Sequence, residues 1–467
     1  MGKEPKSKSP HPFRDGVEMM VFAISMALGL KVFALEAYQI PTGSMMPTMM
    51  GTDLVDPLTR MPNGGIHDRV LVDKVSWWLR EPNRWEVVVF RYPLLAHQNY
   101  VKRLVGMPDE ELLIQNGDIW TRAGEGEEFT IEAKPEDLQK TLWKRVLPTP
   151  SSAGIAWSGW DTTGQIPDSD GNLVLAPRRP VRTAAVIKDE YRHGFPDAIA
   201  DRIPVSGAGA LRRNVVSDLR INLQVIPEKA GSPLRLKLNA GPYPVELILE
   251  AGAIFPIQLA LPDGRSITSN IPLVVGATTE VELAFWDHHV LARVNGWEWS
   301  ELLNLEAENI IANEISLIAP QGRWLVQEPL VFRDIYYLPP MRGAAPLFKI
   351  PAGHYFMMGD NTQNSHDGRD WESRELVLQP PVDGRTNLRG DNFRNGSDPQ
   401  FDNPRWSLDK KTMAFRNQYG EVFEIPKESI IQDHRVPASF VPRNHLMGRA
   451  LVVFMPFWPI LRMGVIR

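Results

Sequence analysis

The chain contains no cysteine, which excludes disulfides and thiolate metal sites. Nor is there an excess of positive charge: 467 residues carry a net charge of −5, without the basic footprint on which nucleic-acid binding leans. Beyond residue 35 no apolar stretch is suited to crossing a bilayer. Ala450–Arg467 comes nearest but is broken by Pro456, Pro459 and Arg462, and reads as a strand with a surface-associated tail. No internal repeat is present. What the chain does have is 40 prolines and 35 glycines between short β-branched runs, a composition of turn-rich β structure rather than helical bundles. Its length suits two or three domains.

The N-terminus is different. Met19–Leu30 carries no charge, and Val32–Leu35 extends the run past Lys31, with Glu18 and Lys31 near the ends, where long side chains can snorkel. The rival reading is a cleaved leader, but Leu35-Glu36-Ala37-Tyr38 offers no clean small-x-small site. We read 1–15 as a tail and 16–35 as a retained membrane anchor. Lys3, Lys6, Lys8 and Arg14 outnumber Glu4 and Asp15, so the positive-inside rule keeps the N-terminus cytoplasmic and sends the rest of the chain across. The lipid bilayer is then a partner.

Residues 36–122 form a compact β pattern. Asp68–Val75, Trp85–Phe90 and Tyr100–Val105 are strand-like, and Gly106-Met107-Pro108 and Asn116-Gly117-Asp118 punctuate them. From Ala123 the character changes. Gly124–Lys140 is charged and Thr149–Arg182 is rich in Pro, Gly, Ser and Asp, as in a linker. Six apolar runs then recur between Leu219 and Val294 with Pro and Gly turns between them, the rhythm of a β-sandwich. We expect 123–330 to be a linker plus a sandwich insert with its own core, jelly-roll-like in its central hairpin. The interrupted core resumes over 331–467, with a loop-rich insertion near 377–433.

Three segments carry the candidate chemistry. The first is Ile40-Pro-Thr-Gly-Ser44-Met-Met-Pro-Thr48, where a Gly-Ser turn presents a hydroxyl. At about 3.3 Å per extended residue it lies within roughly 30 Å of Leu35, close to the membrane surface. The second is Tyr100-Val-Lys102-Arg-Leu-Val-Gly-Met-Pro108, a strand entering a turn. The third is Met358-Gly-Asp-Asn-Thr-Gln-Asn-Ser365-His-Asp367-Gly-Arg369. Each has an ordinary reading alone: a loop, a solvated strand lysine, a turn. Together and in this order they resemble bacterial type I signal peptidases, with a weaker closing box at Gly448-Arg449-Ala450.

That resemblance implies a mainly β fold and a membrane-bound serine endopeptidase that removes signal peptides from exported preproteins. Ser44 would be the nucleophile and Lys102 its base, which requires burial to depress the lysine pKa. The resemblance also assigns Ser365 to orient the lysine by a hydrogen bond. The Ser44 N–H and the Thr42 hydroxyl would receive the oxyanion, and Asp367 and Arg369 would form a structural ion pair. No cofactor and no metal are implied. His288, His289 and His366 have no ligand partner at suitable spacing and read as solvated turn residues. Thr362, Gln363, Gly368 and Asp109 depart from the family boxes. The alternative, from a different class, is an anchored envelope protein whose insert binds a ligand that the sequence does not identify, on a non-catalytic peptidase scaffold.

Overall fold

The computed structural model describes residues 12–29, 34–149, 155–205, 213–340, 346–394, 400, 402–456 and 461–467. The chain is mainly β, as its composition predicts. One long helix, Pro12–Gly29, precedes the strands. Among the described residues no helix is long and apolar enough to cross a membrane. Most of the tail 1–15 and residues 30–33 of the expected anchor lie outside the described residues.

The sheet that carries the site draws on both ends of the chain. Its order is Leu35–Gln39, Arg69–Asp73, Leu446–Met455, Val87–Tyr92, Leu95–Gly106, His354–Met358 and Phe440–Pro442, antiparallel throughout. Val87–Phe90 is an unbroken apolar run because both faces are covered. Val87 and Val89 pack with Ile40, Met45, Met49 and Val70, while Val88 and Phe90 pack with Trp77, Leu104 and Trp371. A smaller four-stranded sheet flanks this core and includes Glu111–Gln115 and Asp118–Arg122. These two strands are joined by a turn in which Asn116 and Gly117 have φ of 56° and 99°, the geometry that an Asn-Gly pair favours.

The insert is two facing sheets around one core. Leu219–Pro227, Thr279–Trp286 and His289–Val294 lie in an eight-stranded sheet, and Pro233–Ala240, Tyr243–Glu250 and Glu314–Ile318 in a seven-stranded one. Leu219–Pro227 alternates buried and half-buried at every step, so Leu219, Ile221 and Leu223 meet Leu236, Leu247 and Ile315 across the gap.

Several expectations need correcting. Part of the stretch read as linker is core: Trp157, Trp160 and Leu173 are buried in the sandwich. Val331, where the pattern resumes, pairs with Ile221 inside the insert's sheet. The segment near 377–433 is not loop-rich. It forms two three-stranded sheets, one built on Glu372–Val382 and one on Thr412–Arg416, around Leu376, Leu388, Phe415 and Ile425. Most of their outward side chains are polar, with Val422 and Ile431 among the exceptions, which hides the strands from a hydropathy reading. The C-terminal run is a strand with a surface tail, as expected: Leu446–Met455 lies inside the main sheet, and beyond it Leu461, Met463 and Val465 are exposed while Ile466 is buried and Arg462 pairs with buried Asp68. His288 is buried rather than solvated, because Trp120 and Tyr243 close edge-on over its ring.

Candidate active site

Strand pairing assembles the three motifs. Lys102 sits opposite Val88, and Arg103 opposite Met358 in the next strand. The strand ending at Met358 therefore delivers Gly359-Asp360-Asn361 beside the lysine. Ser44 lies in a single 3-10 turn, Gly43–Met45, entered from extended Thr42. Asn361 ties that turn to the third motif: its side-chain amide donates to the Gly43 carbonyl at 2.8 Å and its backbone N–H to the Ser44 carbonyl at 3.1 Å. At Gly359 the approach is so close that an added Cβ would lie 2.4 Å from the Ser44 carbonyl oxygen and 2.3 Å from Ser365 Oγ.

The result is a contact between Lys102 Nζ and Ser44 Oγ at 2.5 Å, both residues buried. Burial pushes the Lys102 amine down to about 8, with Asp367 opposing that shift and Arg369 adding to it. Around the amine lies an aromatic cluster that the sequence did not announce. Tyr100, whose ring centroid is 5.7 Å from Nζ, stacks on Tyr92 at 4.4 Å, and Trp371 meets both edge-on. Such a wall excludes water from one side of a base whose charged form is already disfavoured.

Asp367 and Arg369 form the expected buried pair, Nε to Oδ1 at 2.7 Å and Nη2 to Oδ2 at 2.8 Å. Asp367 also accepts the Gly359 N–H at 3.0 Å, and Arg369 donates to the Leu338 carbonyl at 3.0 Å. Thr42 is exposed at the rim of the cavity, its hydroxyl open to a substrate. Ser365 differs from expectation. Its Oγ is buried without a hydrogen-bond partner among the described residues, so the expected bond to Lys102 is not made. Of the departures, Thr362 donates to the Tyr336 carbonyl at 2.7 Å and Gln363 to the Asp189 carbonyl. Gly368 lies against the Ser439 carbonyl, where an added Cβ would be 2.7 Å away. Asp109 takes a φ of 63°, the left-handed region that a glycine adopts freely.

Sequence reading missed other members of the site. Asp360, fully buried, holds Arg103 through two hydrogen bonds and accepts from Thr48 Oγ1 at 2.6 Å. The cavity of about 800 Å³ over Ser44 is closed on one side by Asn392, Phe393 and His366. Phe393 tilts against the His366 ring at 5.4 Å. Away from this cavity, Asp118, Asp218 and Asp287 are buried with carboxylate oxygens within 4.8 Å of one another. Lys134 joins Asp287 at 2.7 Å and Asp334 at 2.8 Å. Burial and the neighbouring Asp287 push the Asp218 carboxyl up to about 8. Lys134 thus supplies the cluster with a cation of its own.

Residues 13–147 and 329–389 match the model of the signal peptidase, peptidase S26 family. Over those residues the chain is similar to the signal peptidase family. Similar relatives include a probable signal peptidase I-2 of Synechocystis sp., 32% identical over 139 residues, which are 28% of this chain and 56% of that protein. A signal peptidase I of Leptolyngbya laminosa is 28% identical over 140 residues, 28% of this chain and 61% of the relative. One from Pseudomonas aeruginosa is 38% identical over 110 residues, 22% and 38% respectively. The chain thus spans less than two thirds of each of these relatives, and residues 148–328 lie outside the family match. A carbohydrate-binding module from Bacillus subtilis aligns with 37% of this chain and 95% of its own at 6% identity and a TM-score of 0.24, too slight a likeness to carry an argument.

Proposed function

We propose that this chain is a membrane-anchored serine endopeptidase that removes N-terminal signal peptides from exported preproteins. The observation that carries the reading is the buried Lys102–Ser44 contact at 2.5 Å, within residues matched by the signal peptidase family model. Names of the similar relatives, each a signal peptidase I, supply the substrate class.

Neutral Lys102 takes the proton from Ser44 Oγ as that oxygen attacks the scissile carbonyl. Charge developing on the carbonyl oxygen is received by the Ser44 N–H and the Thr42 hydroxyl, a type of contact worth about 3 kcal/mol per donor. The C–N bond then breaks, the leaving amine takes the proton from Lys102, and the mature protein departs with its new N-terminus. Water, deprotonated by Lys102, attacks the Ser44 ester and releases the signal peptide with a C-terminal carboxylate. Asp367 and Arg369 keep the third motif folded, and Ser365 lines the same cavity as Lys102. The resemblance implies small residues, mainly Ala, at the −1 and −3 positions of the cleavage site. An extended substrate can add as a strand to the edge of the site.

Residues 16–35 serve in this reading as the anchor, with the catalytic part on the extracytoplasmic face of the inner membrane. Phe13, Met19, Met20 and Phe22 are exposed on the helix, which suits burial in lipid. In this reading the sandwich, whose residues 148–328 lie outside the family match, is an insert between two parts of the peptidase. The test is cleavage of a preprotein by the purified full chain in detergent. We expect the mature product from the native chain and none from Ser44→Ala; an uncut preprotein with the native chain would overturn the reading.

A further inference from the structure

We propose that Lys144, at the edge of the insert, is a positioning residue through which the sandwich fixes the geometry of the Ser44 turn. The inference rests on the serine-peptidase reading above but reaches beyond it, because residues 148–328 then become part of the catalytic apparatus.

The argument turns on one peptide unit. The bond between Asp360 and Asn361 has its carbonyl at one end and its N–H at the other, held in a plane by resonance. Lys144 Nζ donates to that carbonyl at 3.0 Å, and the N–H donates to the Ser44 carbonyl at 3.1 Å. Rotation of the plane breaks both bonds together. It would also move the Asn361 side chain that holds the Gly43 carbonyl. A single rigid group therefore connects Lys144 to the backbone that presents the nucleophile.

Lys144 itself is fixed by the insert. Its strand, Lys144–Leu147, pairs with Leu330–Arg333 of the sandwich. Gly194 lies flat on its stem, where an added Cβ would come within 3.0 Å of Lys144 Cα, Cβ and Cγ. The adjoining segment packs Tyr191, Phe195, Ile199 and Ile203 against Met46, Met50, Leu54 and Ile66, which follow Ser44 in the chain. Gln363 adds a parallel tie, donating to the Asp189 carbonyl.

A lysine is a costly choice for this place. It is buried, no carboxylate among the described residues lies in ion-pair distance of its Nζ, and burial, with Arg333 adding to it, pushes the amine down to about 7. A methionine would fill the same volume without desolvating a charge. What the lysine head adds is the hydrogen bond to the Asp360 carbonyl.

The decisive variants are Lys144→Met and Lys144→Cys in the full chain. With no native cysteine, the Lys144→Cys thiol is unique and can be aminoethylated in denaturant before refolding, which rebuilds a lysine-length amine. For Lys144→Met we expect kcat on a signal-peptide substrate to fall about 10- to 100-fold, the scale of a displaced reacting group, with KM within about twofold. Aminoethylated Lys144→Cys should regain most of the lost kcat. Hydrogen exchange at the Asn361 amide, which needs no turnover, should quicken in Lys144→Met. Unchanged kcat and unchanged exchange in a folded Lys144→Met would overturn the proposal, as would a kcat deficit that aminoethylation fails to repair. If Lys144→Met does not fold, Lys144→Cys before and after modification makes the same comparison. If the native chain cleaves nothing, the peptidase reading fails while the exchange measurement still decides the role of Lys144.

Discussion

Arg103 and Asp360 neutralise each other at zero exposure, with Nη2 2.6 Å from Oδ2 and Nε 2.8 Å from Oδ1. Arg103 also donates to the Trp85 and Arg467 carbonyls at 2.7 and 2.9 Å. One ion pair thus joins the lysine strand, the third motif and Arg467. Asp360→Asn leaves the guanidinium without its counter-charge and should lower stability by about 3–5 kcal/mol, read from urea unfolding. Burial raises the Asp360 carboxyl, but Arg103 outweighs it and holds the group below the usual carboxylate range. Its stabilisation is therefore present above the unfolded carboxyl value and lost as pH falls through the lower folded one. Native stability should decline below about pH 4, and Asp360→Asn should flatten that decline; an unchanged acid limb would exclude the pair as its cause.

On the proposed reading, Lys102 sets a second pH dependence. With Lys102 brought down to about 8, its neutral fraction grows about tenfold per pH unit below that value and levels off above it. Single-turnover acylation of Ser44 should rise accordingly from pH 6 to 8 and reach a plateau near pH 9. A rate already flat at pH 6 would mean that another group takes the proton. Lys102→Met should abolish turnover and leave stability equal or higher, since a desolvated amine is replaced by an apolar chain.

Gly359 is required for proximity rather than for its backbone angle. A methyl group there would overlap both Ser365 Oγ and the Ser44 carbonyl oxygen. Gly359→Ala should therefore push the Ser44 turn away from Lys102 and lower kcat at least about 100-fold, with melting temperature reduced by a few degrees. Near-native kcat would show that the third motif can withdraw without disturbing the nucleophile.

The insert has a core of its own, which suggests that it can be cut out. The contact of Tyr191 and Phe195 with Met46 and Met50 argues otherwise. Replacing 148–328 by a short Gly/Ser linker should expose that apolar face and abolish labelling of Ser44 by an acylating inhibitor. Restored labelling in the shortened chain would return the insert to the status of an accessory module.

Legibility followed the range of the interaction. Leu219–Pro227 and Tyr243–Glu250 were readable because alternation is local, and Ser44 and Lys102 because their motifs are short and ordered. Asn361 lay inside a recognised motif, yet its task is to grip Gly43, a residue 318 positions away. Lys144 meets Asp360 across 216 positions and has no local signal at all. His288 looked like a solvated hairpin residue because nothing nearby in sequence hints that Trp120 will cover it. The strands around Phe415 were hidden by outward faces that are mostly polar.

Leu446–Met455 pairs on one side with Arg69–Asp73 and on the other with Val87–Tyr92. Two strands made early in synthesis are therefore held apart in the finished sheet by one made long after them. Contacts of such sequence separation form slowly, and a nascent chain lacking this strand leaves two sheet edges open. Translation order thus imposes a latency: the polypeptide carries its serine and lysine long before it can align them. A ribosome-bound chain arrested before residue 446 should not react with an acylating inhibitor, and release of a chain that extends through residue 467 should switch that reactivity on.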